Sequence, residues 1–150
     1  MAEFTNNPVQ LVQPNQQVLL NTTIGCPKGY VYHRNGSGIV TLRGITTNCF
    51  ARYQVTFNGN IALPTGATVT PISVGIAIDG EPVLTSKAIF SPAATDTYGN
   101  VTSTAIITVP KGCCFNVSVE NTTAVPTTPA GANAPAINVQ NANLVVSRIA

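Results

Sequence analysis

Strict alternation of apolar and polar residues is the dominant signal along this chain. From position 51 the residues Ala51, Tyr53, Val55, Phe57, Gly59 and Ile61 share one face of an extended segment, and Arg52, Gln54, Thr56, Asn58 and Asn60 share the other. A period of two over that length marks a half-buried strand, because successive side chains of a β-strand point to opposite faces. The pattern returns with Ile72, Val74, Ile76 and Ile78 against Ser73, Gly75, Ala77 and Asp79, and again with Phe115, Val117 and Val119 against Asn116, Ser118 and Glu120. No stripe of helical period and similar length competes with it.

Turn chemistry separates these runs: Asn35-Gly36-Ser37-Gly38, Pro64-Thr65-Gly66, Asp79-Gly80, Tyr98-Gly99-Asn100 and Pro110-Lys111-Gly112. Asp79-Gly80 predicts a hairpin joining 70–78 to 82–91, since a type I′ turn needs positive φ at both central positions. The punctuation predicts about ten strands, near 9–13, 17–24, 29–33, 38–43, 50–62, 69–78, 82–91, 99–109, 113–121 and 136–149, a sandwich or barrel count. Residues 1–8 read as a short polar N-terminal arm, and residues 9–150 as one domain. The proline-containing stretch 122–135 reads as an exposed loop.

Two strands carry apolar residues on both faces. In the last run Ala142, Leu144 and Val146 occupy one face while Val145 and Ile149 occupy the other, and Ile106 does the same in the strand 101–109. In a two-layer sandwich the second cover has to come from outside, which makes Ile106, Val145 and Ile149 candidate subunit-interface residues.

Composition strengthens that expectation. Only 8% of the 150 residues are charged, against about 25% in an ordinary domain, and polar positions are filled by Thr, Asn, Ser and Gln. A surface so poor in charge lacks the usual defence against association, so oligomerisation is expected. The seven Lys and Arg residues are scattered and the net charge is +2, which gives no basic stripe for a nucleic-acid backbone. The start MAEFTNNPVQ has no basic segment followed by an apolar core, and no apolar run reaches about 18 residues, so neither a secretory signal nor a membrane span is expected.

Four cysteines, Cys26, Cys49, Cys113 and Cys114, are the residues best able to carry unusual chemistry. They lack C-x-x-C spacing, and only His33 could join them, so no metal site is assigned. A bond between Cys113 and Cys114 is disfavoured, because adjacent Cα atoms lie about 3.8 Å apart and disulfides need about 4.4 Å or more. Two readings stay open: a bridge Cys26–Cys49, or from Cys113 or Cys114 to one of them, formed in an oxidising setting, or else four buried thiols acting as small apolar groups. His33, the one histidine, reads as a surface turn residue with no nucleophile motif beside it. Asp79 and Glu81 are explained by the hairpin, and the five N-x-S/T sequons by an Asn- and Thr-rich composition. The residues thus point to no enzyme and no cofactor.

The strand Gly38–Leu42, the aromatic run Cys49–Phe57, the hairpin Ile76–Glu81 and the closing run Ala142–Ala150, with one basic residue just before its end, together resemble the trimeric jelly roll of tumour necrosis factor and the globular heads of complement proteins. They are most similar to its microbial branch, which includes phage head-fibre and decoration proteins and the C-terminal domains of spore-surface collagen-like glycoproteins. The resemblance spans about residues 9–150. It implies an all-β, two-sheet antiparallel jelly-roll sandwich, a homotrimer packed through its inner sheet, and loops at one end free to bind. The absence of a Gly-X-Y stalk and the short arm point to a capsid or fibre protein as partner and to a virion exterior. The alternative is a bacterial or spore-surface module that recognises a glycan or receptor through its loops.

Overall fold

The computed structural model describes residues 1–25, 29–126 and 133–150. In chain order the strands are β1 (Ala2–Asn6), β2 (Gln10–Val12), β3 (Thr22–Ile24), β4 (Val31–His33), β5 (Val40–Arg43) and β6 (Phe50–Ala62). They continue with β7 (Ile72–Ile78), β8 (Glu81–Pro82), β9 (Ala88–Phe90), β10 (Gly99–Pro110), β11 (Cys114–Asn121) and β12 (Ile137–Arg148). One sheet has the order β10-β6-β12-β1-β3, with β2 also on β12, and the other has the order β4-β5-β11-β7-β8, with β9 also on β7. Every pairing is antiparallel. Among the described residues the single helical segment, a 3₁₀ turn at Leu84–Ser86, is far too short to cross a membrane.

The core lies between the sheets and is built from the alternating faces. Ala51, Tyr53, Val55, Phe57 and Ile61 of β6 are fully buried. Each large apolar side chain so removed from water contributes about 1.5–3 kcal/mol. Gly59 continues that face, and only glycine fits there: a Cβ would stand 2.9 Å from Cζ of Phe57. At the predicted hairpin, Asp79 has φ 51° and Gly80 φ 84°, the positive pair that a type I′ turn requires.

Three expectations need correction. Residues 1–8 are not an arm, because β1 is an internal strand paired with both β12 and β3. Ala2, Phe4 and Asn6 are buried while Glu3 and Thr5 face outward, a period of two too brief to stand out. Its inward polar member, Asn6, is held by Asn21 Nδ2 at 3.0 Å.

The run 82–91 is not one strand. Ser86 Oγ accepts the Ile76 N–H at 2.9 Å and donates to the Val83 carbonyl at 2.6 Å, so a hydroxyl takes over the ladder position between β8 and β9. Nor is 122–135 exposed from its start. Thr123 is buried, its Oγ1 accepts the Ser73 N–H at 3.0 Å, and Thr122 Oγ1 lies 2.8 Å from Ser73 Oγ. These hydroxyls satisfy Ser73 near the start of β7, and residues 127–132 of that predicted loop lie outside the described residues.

Candidate functional site

The outer face of the first sheet is a broad, almost uncharged lattice. One row crosses it through Thr104, Thr56, Val145, Glu3 and Ile24, and the next through Thr102, Asn58, Asn143, Thr5 and Thr22. A group of its polar side chains bond to one another. Asn58 Oδ1 accepts from Asn100 Nδ2 at 2.9 Å and from Thr102 Oγ1 at 3.2 Å, and the hydroxyls of Thr56 and Thr104 lie 3.1 Å apart. Glu3 accepts a hydrogen bond from Asn143 Nδ2, and exposed Arg52 stacks on the Phe50 ring at 4.7 Å. Of the candidate interface residues, Ile106 is 65% exposed and Val145 half-buried on this face, while Ile149 is exposed beyond the end of β12.

A second polar surface is the outer face of the second sheet. A row runs from Tyr32 to Thr41 to Asn116, and Asp79 closes it by accepting the Asn116 N–H on Oδ1 at 3.0 Å. Asn116 Oδ1 in turn accepts the Thr41 hydroxyl at 2.8 Å. Beside this row lies a cleft of about 300 Å³ lined by Gln17, Ile39, Asp79, Gly80, Asn116 and Ser118. The Ser118 hydroxyl lies 3.5 Å from the carboxylate of Glu120, a residue 5% exposed whose side chain has no other hydrogen-bond partner among the described residues. Burial raises the Glu120 carboxyl above its ordinary pKa; the Ser118 bond opposes that rise and the charge of Glu81 adds to it.

The described cysteines gather at one end of the sandwich. Cys49 precedes β6, Cys113 precedes β11 and Cys114 opens it; the Cys49 carbonyl accepts the Lys111 N–H at 2.9 Å, and the Cys113 carbonyl accepts the Gly44 N–H at 2.8 Å. All three are exposed free thiols. The buried-thiol reading therefore fails for them, because turn residues at a sheet end lie outside the core. Cys26 lies outside the described residues, so the pairings that involve it have no geometry here. At the same end the Arg148 guanidinium lies over the Tyr30 ring at 4.4 Å, and the buried Tyr53 hydroxyl donates to the Arg43 carbonyl at 2.6 Å. Burial, the largest influence on it, raises the Tyr53 pKa.

His33 is half-buried and not a surface turn residue. Its Nε2 donates to the Ser37 carbonyl at 2.9 Å, Nδ1 lies 3.1 Å from Thr23 Oγ1, and the ring packs on Phe4 at 4.7 Å. Both ring nitrogens are engaged in holding β4 to its neighbours. Among the described residues no three His, Cys, Asp or Glu side chains are placed to hold a metal.

Sequence reasoning did not find the cleft. Asp79 was explained by its turn and Asn116 by a sequon, and Gln17 lies 62 and 99 positions from them in the chain. Only the fold brings the three together, so no local signal could have shown it.

These two sheets and their strand order define a β-sandwich of the jelly-roll class. No family model matches the sequence, and no curated protein matches it either. Among solved structures the chain is similar to the globular domain of zebrafish complement 1qA protein, with a TM-score of 0.58, 13% identity and coverage of 96% of this chain and 94% of that one. It also aligns with the CBM35 from Cellvibrio japonicus Abf62, at a TM-score of 0.36 and 13% identity over 99% of this chain and 97% of that one. A third alignment is with the CBM22-1 xylan-binding domain of Paenibacillus barcinonensis Xyn10C, at 0.34 and 10% over 99% and 87%. The first likeness gives the fold, the jelly roll of complement globular heads; the other two are too distant to carry argument.

Proposed function

We propose that this chain is a non-enzymatic structural protein, a homotrimeric decoration or head-fibre protein on the exterior of a phage or prophage particle. The observation that carries this reading is the outer face of the first sheet: five strands wide, almost without charge, and bearing exposed Ile106 and half-buried Val145. A face of that kind on a chain with 8% charged residues is suited to burial against copies of itself, and closed rotational symmetry is the usual outcome for identical chains. The fold shared with a complement globular domain supports a binding or structural role. Residues 2–6 are built into the sheet, so they do not serve as a free arm for attachment to a shell or fibre.

Absolute mass by light scattering, with and without reductant, tests the reading. Three times 15.6 kDa in both conditions is the expected result, since the assembly is held by packing. A mass of 15.6 kDa at micromolar concentration overturns it, and a trimer seen only without reductant would transfer the assembly to bridges through the exposed cysteines.

A further inference from the structure

We propose that the cleft on the outer face of the second sheet is a binding site for a neutral glycan. This goes beyond the structural role above and places recognition where the Asp79-Gly80 turn, Gln17 and Ile39 meet the outer face of β11. Asn116 spends its Oδ1 on Thr41 and its main-chain N–H on Asp79. Among the described residues, Asn116 Nδ2, Asp79 Oδ2 and the whole Gln17 amide have no protein partner, and all three residues line the same cleft. A carboxylate and two amides converging on one concavity supply acceptors and donors together, the combination that recognises adjacent hydroxyl groups.

The geometry is also fixed in advance. Asp79 is held by a turn of positive φ and by the Asn116 N–H, and Asn116 by the Thr41 hydroxyl, so little side-chain freedom is lost on binding. Ile39, 37% exposed, gives the cleft an apolar patch. Tyr32, 63% exposed, stands two strands from Asn116, about 10 Å away, and offers an aromatic ring to the C–H face of a neighbouring sugar. The volume of about 300 Å³ is at the small end for ligand sites, which suits one or two sugar rings in an open cleft.

Charge narrows the ligand class. No lining residue is basic, Asp79 stands in the cleft wall, Glu81 follows two residues on and the Glu120 carboxylate lies 3.5 Å from the Ser118 hydroxyl. Sulfated, phosphorylated or carboxylated ligands are therefore repelled. The acidic groups do not come together as a metal site.

Affinity electrophoresis of the whole chain through native gels cast with soluble glucan, mannan or galactomannan tests the proposal. Retardation by at least one of these is expected, weakened about tenfold or more in Gln17→Ala, Tyr32→Ala and Asp79→Asn, each loss being that of one well-placed contact. Neither Gln17 nor Tyr32 has a side-chain hydrogen bond among the described residues, so both variants fold, and unchanged melting verifies that. The proposal is overturned by no retardation in any neutral polysaccharide, by retardation of all three variants equal to that of the parent chain, or by retention on a sulfated polysaccharide alone.

Discussion

The outer faces of the two sheets are made from the same residue types and are organised in opposite ways. On the first, Asn58, Asn60, Asn100, Thr56, Thr102 and Thr104 bond across the strands, so these six side chains spend much of their capacity on one another. On the second, Asp79, Asn116 and Gln17 keep capacity in reserve around a concavity. A polar face that satisfies itself loses little when another surface dries it, since buried polar groups are costly only when unpaired. A face with unspent donors and acceptors gains by meeting a polar ligand. Thr and Asn content alone does not separate a docking face from a recognition face; the direction of the hydrogen bonds does.

The largest expected effect comes from removing what both faces rest on. Phe4 is fully buried in the core between the sheets, on an internal strand. Phe4→Ala is expected to lower the unfolding free energy by about 3–5 kcal/mol, read by chemical denaturation, and to weaken both faces together. Were residues 1–8 an arm, the substitution would leave stability unchanged.

Next in size is a substitution that separates the faces. Val145 sits mid-row between Thr56 and Glu3, so Val145→Asp puts a second carboxylate at the centre of the first sheet's outer face. Burying that charge unpaired costs several kcal/mol. The mass by light scattering should fall threefold, while retardation of each protomer in a glycan gel persists because the cleft lies on the other sheet. Loss of both properties together would join the two faces into one functional unit.

How much of this was legible beforehand follows from the range of each signal. The strands β6, β7, β10, β11 and β12 were readable because alternation over seven to thirteen residues is unmistakable. β1 was lost because its inward face ends on Asn6, whose burial depends on Asn21, fifteen residues away. The break at Ser86 was hidden for a related reason: nothing in the run 82–91 says that a hydroxyl will replace a ladder bond of Ile76. The apolar exceptions Ile106 and Val145 pointed to the first sheet's outer face, since an apolar residue out of phase is visible locally. The cleft gave no such sign, because its polar residues were in phase and each had a local explanation.

The smallest effect sharpens the contrast at the one buried acid of the second sheet. Glu120 is 5% exposed, and its side chain has a single long hydrogen bond, from Ser118, a residue that lines the cleft. Burial raises its pKa, with Ser118 opposing and Glu81 adding to the rise. The folded chain then holds this proton more tightly than the unfolded chain does. Its stabilising contribution is full below the ordinary glutamate pKa of about 4.3 and is lost as pH rises through the raised folded value. Glu120→Gln keeps the shape and removes the titration, so its melting temperature should exceed that of the parent at neutral pH and converge with it toward about pH 4. Parallel melting curves for the two proteins across that range would mean that the carboxylate is solvated in the folded state. The surroundings of Ser118 would then be wetter than their burial implies, and this one lining residue of the cleft would be less firmly held than its neighbours Asp79 and Asn116.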